Sequence, residues 1–416
     1  MIAEIIAIGS EMLTPAFQDT NSLYLTDKLN TLGVEVAFKT VVGDDTAHLT
    51  SVARIAVERA DIVIFMGGLG PTEDDVTREC VAAALGREIH RDPDLIAELY
   101  ARFAARRRKM PENNERQADV IAGAEVLRNP NGSAPGQWIE TGHLGQPRFL
   151  MLLPGPPREI KPMFDDQCME RLRPKLPPAA IATRVLRIAL MPESDADAKA
   201  APIYKRYPDV QTTILASRGE ITFRLLAGAE TEDAAADRVN ALTDELEEAF
   251  GEEVFSNSGE SLEQIVGYFL QMRGATIAVA ESCTGGMLAQ RLSSISGSSR
   301  YFLGGAVVYS NDMKSLFANV PPMLIAQHGA VSREVAEALA SGIREECRAS
   351  VGVGITGIAG PTGGTPEKPV GLVYVAVSDS SKTNVIERKY PFNDRETIRW
   401  FATQQALDMV RRMLME

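Results

Sequence analysis

The chain is 416 residues long, 45% apolar and 24% charged, with a net charge of −13. At roughly 150 residues per domain this length predicts two or three cores, and the composition excludes a disordered chain, a collagen-like repeat and a membrane protein of several spans. An acidic chain repels phosphate backbones unless it carries a concentrated basic face, so nucleic acid is not an expected partner. The four cysteines, Cys80, Cys168, Cys283 and Cys347, show no CxxC or zinc-like spacing. They are too few for a disulfide scaffold, which suits a reducing cytoplasm. No basic leader opens the chain and no run reaches the ~18 apolar residues of a membrane helix, so neither export nor membrane anchoring is expected.

Apolar runs at 5–8, 61–66 (DIVIFM) and 149–153 (FLMLL) each end in glycine or proline and read as buried strands of a parallel sheet. Helical patterns at 23–32 and 49–60 lie between them. The alternation predicts a doubly wound α/β domain whose ligand site lies beyond the strand C-termini. The segment 174–180 (PKLPPAA) reads as a linker. A smaller α+β unit follows in the order β-α-β-β-α, with strands near 183–190, 210–216 and 220–226. Its last helix starts from Thr231 as N-cap, with Glu232 and Asp233 in the first turn and Val239, Leu242, Leu246 and Ala249 on one apolar face. After a second linker at 255–261 comes a helix at 262–273. A second α/β domain then has strands at 276–280, 302–309, 351–355 and 372–377 and helices at 333–348 and 395–413. The expected domains are 1–173, 181–257 and 258–416.

Absences narrow the chemistry: there is no GxxxxGK[ST], HExxH or GxSxG, and the four histidines, His48, His90, His143 and His328, are scattered. The GVGITG at 352–357 matches GxGxxG, but its glycines fall inside a predicted strand, which argues against a dinucleotide fingerprint. The first positive signal follows the DIVIFM strand: Gly67, Gly68 and Gly70, then Pro71, Thr72, Glu73, Asp74, Asp75, Val76 and Thr77. Glycines at a strand end let amides approach a phosphate beside a helix N-terminus, and Asp74 and Asp75 are placed to hold a divalent cation such as Mg²⁺ against it. The competing reading makes Thr72 an N-cap and the three acids an ordinary first turn with a capping box. Asp19 and Asn21 after the first strand, and Gly155 after the last, occupy loops that converge on that site in a doubly wound fold. The basic run Arg106 to Lys109 continues a helix and reads as a solvated face.

The second signal is Glu281-Ser282-Cys283-Thr284-Gly285-Gly286 at a strand-to-helix turn, where a hydroxyl is presented beside free amides of a helix N-terminus. Lys314 ends the next strand segment and acts as a base if desolvation lowers its pKa. Ser282 is equally read as a helix cap, and Cys283 is the rival nucleophile. A glycine-dense loop from Thr356 through Gly357, Gly360, Thr362, Gly363 and Gly364 suits a phosphate, or is simply mobile.

These motifs together resemble the CinA (competence/damage-inducible) family over essentially the whole chain. They are GSE, DTNS, GGLGPTEDDVT, NGSAPG and LPGPP in the first part, then AESCTGG, GGAVVYSNDMK, GAVS and TGIAGPTGGTPEKPVG. The resemblance implies a molybdopterin-binding-like domain, a KH-type α+β domain and a nicotinamide mononucleotide (NMN) amidohydrolase domain. It implies Ser282 as nucleophile, Lys314 as base, Tyr309 as polar partner and Thr356 as a substrate-orienting residue. It also implies Gly285 and Gly286 bordering the nucleophile, and Arg395 and Arg399 as phosphate ligands. For the first domain it implies a divalent-metal-dependent ADP-ribose pyrophosphatase with Asp75 as the functional aspartate. There the chain departs from the family's usual Leu-Leu-x-Gly-Gln, carrying Met12-Leu13-Thr14-Pro15-Ala16-Phe17-Gln18, and Met66 stands where threonine is common. The KH-type unit has no GxxG loop, and its 8 basic and 15 acidic residues point to a structural or dimerisation role. The expected partners are small nucleotides and a second copy in a homodimer, with no cofactor for the amidase. The alternative from another class is a nucleotide- or pterin-binding scaffold or sensor without catalysis in the first domain.

Overall fold

Strand Ile2–Ile8 is buried along nearly its whole length, and it sits inside the first sheet because apolar side chains on both faces need cover from both sides. The computed structural model describes residues 1–15, 17–176, 180–392 and 394–416. Part of the expected 174–180 linker, residue 16 of the first loop and residue 393 of the late arginine motif lie outside the described residues. The chain forms two compact units, one of Met1–Ile181 with Ala229–Thr231, the other of Ala182–Gly228 with Glu232–Glu416.

In the first unit the sheet order is Glu35–Val42, Ile2–Ile8, Ile62–Met66, Gln146–Leu153, Gly136–His143, Ala124–Leu127. The first four strands are parallel and the last two pair antiparallel. Helices Asn21–Thr31 and Thr46–Arg59 belong to separate apolar clusters on the two sides of this sheet. This is the expected doubly wound architecture with an antiparallel extension. The basic run is a correction: helix Pro93–Ala105 stops before it, and Arg107 takes a left-handed φ of 54°. Arg106 to Lys109 are exposed, in a turn rather than on a helix face.

The second unit holds two sheets. The smaller has the order Val210–Ser217, Glu220–Ala229, Ala180–Ala189, Val254–Ser256, with helices Glu193–Tyr204 and Glu232–Phe250 contributing to its core. The expected second linker at 255–261 therefore begins too early, because residues up to Ser256 pair with the first strand of this sheet. The larger sheet runs Phe302–Val307, Ile277–Glu281, Val351–Gly357, Leu372–Ser378, Thr383–Lys389, its first three strands parallel and the rest antiparallel. Gly352 and Gly354 are strand glycines: a Cβ on either would run into helix Arg333–Glu346, at Ala340 and Ala336. Close packing explains their spacing.

Candidate functional sites

In the first unit, loops beyond Ile8, Met66 and Leu153 enclose a cavity of about 570 Å³. Gly67, Gly68, Gly70, Asp74, Asp75, Asp19, Asn21 and Gly155 all line it. Strand Ile62–Met66 delivers the glycine loop, and Gly67, at φ 105°, leaves no room for a Cβ beside the Ile8 carbonyl. The loop's carbonyls turn away to protein donors: Thr77 Oγ1 donates to Gly67 O at 2.8 Å, Thr77 N to Gly68 O at 3.2 Å, and Arg78 to Leu69 O at 2.9 Å. Among the described residues, the amides of Gly68, Leu69 and Gly70 donate no hydrogen bond, which leaves them for an anion.

Thr72 does not line the cavity. Its N–H and hydroxyl both donate to Asp75 Oδ2, at 2.9 and 2.6 Å, closing a tight turn. This overturns the N-cap alternative, since helix Thr77–Leu85 begins five residues later with Val76 at its N-cap. Sequence reasoning missed the two arginines that hold the loop. Arg116 donates to Thr72 O at 2.9 Å and Asp75 O at 3.3 Å. Arg78 is 2% exposed, and burial pulls its pKa down to about 10.

Six carboxylates line the cavity, Glu11, Asp19, Asp44, Asp74, Asp75 and Glu159, whereas no lysine, arginine or histidine among the described residues does. A phosphate there would meet free amides but also a surplus of negative charge, a conflict that a divalent cation would resolve. The residues fit a hard cation of the Mg²⁺ kind, held by one or two carboxylates and completed by water and ligand phosphate. They do not form an all-protein cage: among the described residues no three His, Cys, Asp or Glu converge as one.

In the second unit Ser282 directly follows strand Ile277–Glu281, and its amide stays in the sheet, donating to Ile355 O at 2.9 Å. Its hydroxyl lies 3.2 Å from Lys314 Nζ. Lys314, on helix Asn311–Ala318, is 2% exposed and no carboxylate among the described residues pairs with it; burial holds its pKa below the ordinary lysine value. The same nitrogen donates to Val308 O at 3.0 Å and Tyr309 O at 3.5 Å. In its neutral form the amine has two N–H groups and one lone pair; with the two carbonyls taking the hydrogens, the lone pair would be left for the Ser282 proton.

Cys283 is buried in the apolar core, and desolvation pushes its thiol up to about 12. The rival nucleophile is therefore a packed, protonated thiol. The helix N-terminal amides expected to be free are not. Glu281, 1% exposed, accepts from Leu288 N at 3.0 Å and Ala289 N at 2.8 Å, capping helix Met287–Ser293 with both oxygens. The free donors sit one step earlier: among the described residues, the amides of Cys283, Thr284 and Gly286 donate no hydrogen bond. A carboxylate at the end of a buried strand was the signal for this cap.

Arg399 donates to Thr284 O through Nε and Nη2, at 3.1 and 2.6 Å, and so locks the turn before Gly285. Arg395 donates to Gly360 O at 2.9 Å and to the Tyr309 hydroxyl at 2.7 Å, joining the glycine loop to the Lys314 segment. Ser282, Lys314, Tyr309, Gly360, Arg395 and Arg399 thus form one connected set with the turn at Gly285 and Gly286. Thr356 is buried and gives its hydroxyl proton to Ala330 O at 2.7 Å. Gly357 closes a strand, packed against Leu372 and Val373, while Thr362, Gly363 and Gly364 are exposed further along the loop. Lys368, absent from the sequence reading, fixes the facing segment by donating to His328 O at 2.9 Å and Val331 O at 2.7 Å.

Comparison with known proteins matches three segments of the chain in turn. Residues 4–174 match the family described as a probable molybdopterin binding domain, 183–256 the damage-inducible protein CinA KH domain, and 259–414 the CinA C-terminal domain. A CinA-like protein of Koribacter versatilis is 63% identical over 414 residues, covering 100% of both chains. One from Acidobacterium capsulatum is 59% identical over 415 residues, again covering 100% of both. A crystal structure of the competence/damage inducible protein CihA from Agrobacterium tumefaciens is 37% identical, covering 37% of this chain and 94% of that one with a TM-score of 0.36. Identity along the entire length and three family segments in order show that the chain belongs to the CinA family.

Proposed function

We propose that the chain is a bifunctional hydrolase of pyridine nucleotides, whose C-terminal domain converts NMN to nicotinate mononucleotide and ammonia. The observation that carries this reading is the buried Lys314 amine, 3.2 Å from the Ser282 hydroxyl and within hydrogen-bond reach of two backbone carbonyls. Ser282 Oγ attacks the carboxamide carbon and its proton passes to Lys314 Nζ. The oxyanion is met by the unoccupied turn amides of Cys283, Thr284 and Gly286. Lys314 returns the proton to the departing nitrogen, ammonia leaves, and water, deprotonated by the same lysine, hydrolyses the acyl-enzyme. Arg395 and Arg399, held beside the turn, face the nucleotide phosphate, and the amidase needs no cofactor. The test is ammonia release from NMN by wild type, Ser282→Ala and Cys283→Ala, all shown to be folded. Turnover lost only in the serine variant is expected; a folded wild type without turnover sinks the reading.

For the N-terminal domain we propose hydrolysis of the ADP-ribose pyrophosphate, with the free amides of the Gly67 to Gly70 loop at the phosphates and Asp74 and Asp75 toward the metal. A bound divalent cation would neutralise the pyrophosphate and polarise it for attack by water. The free amides of Gly68, Leu69 and Gly70 suit binding as well as catalysis, which supports a second reading for this domain, a nucleotide- or pterin-binding module. AMP release from ADP-ribose with and without Mg²⁺ separates them: metal-dependent release lost in Asp75→Ala supports the enzyme, and tight binding without release supports the module.

The four cysteines are free thiols, which supports a reducing cytoplasmic setting, and no helix among the described residues is long and apolar enough to cross a membrane. We assign the chain no nucleic-acid partner, on the acidity of residues 181–257, and propose a homodimer, to be checked by sedimentation.

A further inference from the structure

The last helix, Arg395–Met415, carries Arg395 and Arg399 on the side facing the Ser282 turn, and it is gripped from elsewhere by the middle domain. Glu396, Trp400 and Gln404 recur every four residues along an adjacent stripe. Each meets the turn between strands Val210–Ser217 and Glu220–Ala229. Glu396 pairs with Arg218, Trp400 Nε1 donates to Arg218 O at 2.7 Å, and Gln404 Nε2 donates to Gly219 O at 3.4 Å. Gly219 has a φ of 74°, and a Cβ there would lie 3.2–3.4 Å from Gln404 and Phe401. The turn is fitted to the helix by shape as well as by hydrogen bonds.

The stripe continues inward. Arg291, 4% exposed, lies on helix Met287–Ser293 immediately after the Ser282 turn. It donates to Glu263 at 2.6 Å, Thr403 at 2.8 Å and Gln404 at 2.5 Å, and its guanidinium stands 4.3 Å from the centre of the Trp400 ring. At the far end of the long helix Arg411 donates to Glu252 O and Val254 O. The middle domain therefore grips the long helix at two places, through Trp400 and Gln404 beside Arg399 and through Arg411 at the far end.

We infer that the Arg218–Gly219 turn of the middle domain is a positioning element of the amidase site, setting the helix that aims Arg395 and Arg399 at the substrate phosphate. The inference rests on the amidase reading above, and it gives the acidic middle domain a role that needs no nucleic acid. Trp400 and Gln404 act through the arginines and touch no reacting atom.

Two full-length variants test it. Trp400→Phe keeps the ring beside Arg291 and removes one hydrogen bond to the turn; Arg218→Glu sets like charges against Glu396 at an exposed position that leaves the core untouched. Ammonia release is measured from NMN and from nicotinamide riboside, which lacks the phosphate, with pH profiles and thermal unfolding alongside. The expected result is a KM for NMN raised about threefold to tenfold, the range one lost hydrogen bond supports. The kcat and pH midpoint stay unchanged, and the ratio of NMN to riboside efficiency falls. KM values like wild type in both variants, or parallel losses on the two substrates, would overturn the inference. A wild type that releases no ammonia fails the amidase reading itself, so the two failures are distinguishable.

Discussion

At the scale of single residues, Lys314 is the most informative group. Its burial favours the neutral amine, which is the form that accepts the Ser282 proton, so NMN turnover rises with pH through a pKa below the ordinary lysine value and levels off above it. A rate flat across that range would refute the base. Lys314→Arg keeps the charge at every accessible pH and should lower turnover by about 10²–10⁴-fold, with the fold checked by circular dichroism. The same shift has a sign for stability. In the window between the lowered folded pKa and the unfolded one, the unfolded chain binds more protons, so stability rises with pH there. Below the folded pKa both states are protonated, and the cost of burying the charge is fully present. Chemical denaturation at stepped pH, compared with Lys314→Met, reads this directly, since the variant should lose that rise.

At the scale of elements, both sites are turns that leave a buried parallel strand, and each is shaped by a constraint that can be removed. Glu281 closes the start of helix Met287–Ser293 with both carboxylate oxygens. Glu281→Ala should cost about 1–3 kcal/mol of stability by leaving buried donors unpaired, and faster hydrogen exchange at the Leu288 and Ala289 amides reports the loss. Gly67 holds a φ of 105° with the Ile8 carbonyl where a Cβ would go. Gly67→Ala should destabilise the first unit by about 1–3 kcal/mol, seen as a lower unfolding midpoint, while amidase turnover persists. The elements themselves were unevenly legible. Ile62–Met66 and Leu372–Ser378 announced themselves as apolar runs. Glu35–Val42 did not, because most of its side chains are exposed and its place in the sheet comes from pairing with Ile2–Ile8. Helix Thr77–Leu85 started later than its acidic residues suggested, because Asp75 closes a turn on Thr72 instead of entering the helix.

At the scale of the whole molecule, the two proposed activities have different demands. Among the described residues the first-unit cavity pairs free amides with six carboxylates and no cationic side chain, whereas the Ser282 site has a lysine and two arginines of its own. Chelation with EDTA should therefore abolish ADP-ribose hydrolysis and leave NMN deamidation at its full rate, with Mg²⁺ restoring the former. Deamidation that fell with the chelator would contradict the metal-free mechanism. Ser282→Ala, conversely, should spare ADP-ribose hydrolysis entirely.

The sequence by itself determined the two α/β domains, the smaller unit between them, and the strand ends at which chemistry was to be sought, because hydrophobic period and glycine placement are local properties. It also named Ser282, Lys314 and the Gly67 to Gly70 loop. Only the tertiary structure decided that Lys314 is buried with no carboxylate partner among the described residues, that Cys283 is packed away in the core, and that Glu281 takes the helix amides and leaves those of the preceding turn. The lysine and serine are 32 positions apart, Arg399 and Thr284 are 115 apart, and Trp400 and Arg218 are 182 apart. Desolvation and hydrogen-bond partnership across such separations are set by packing, which no local pattern encodes.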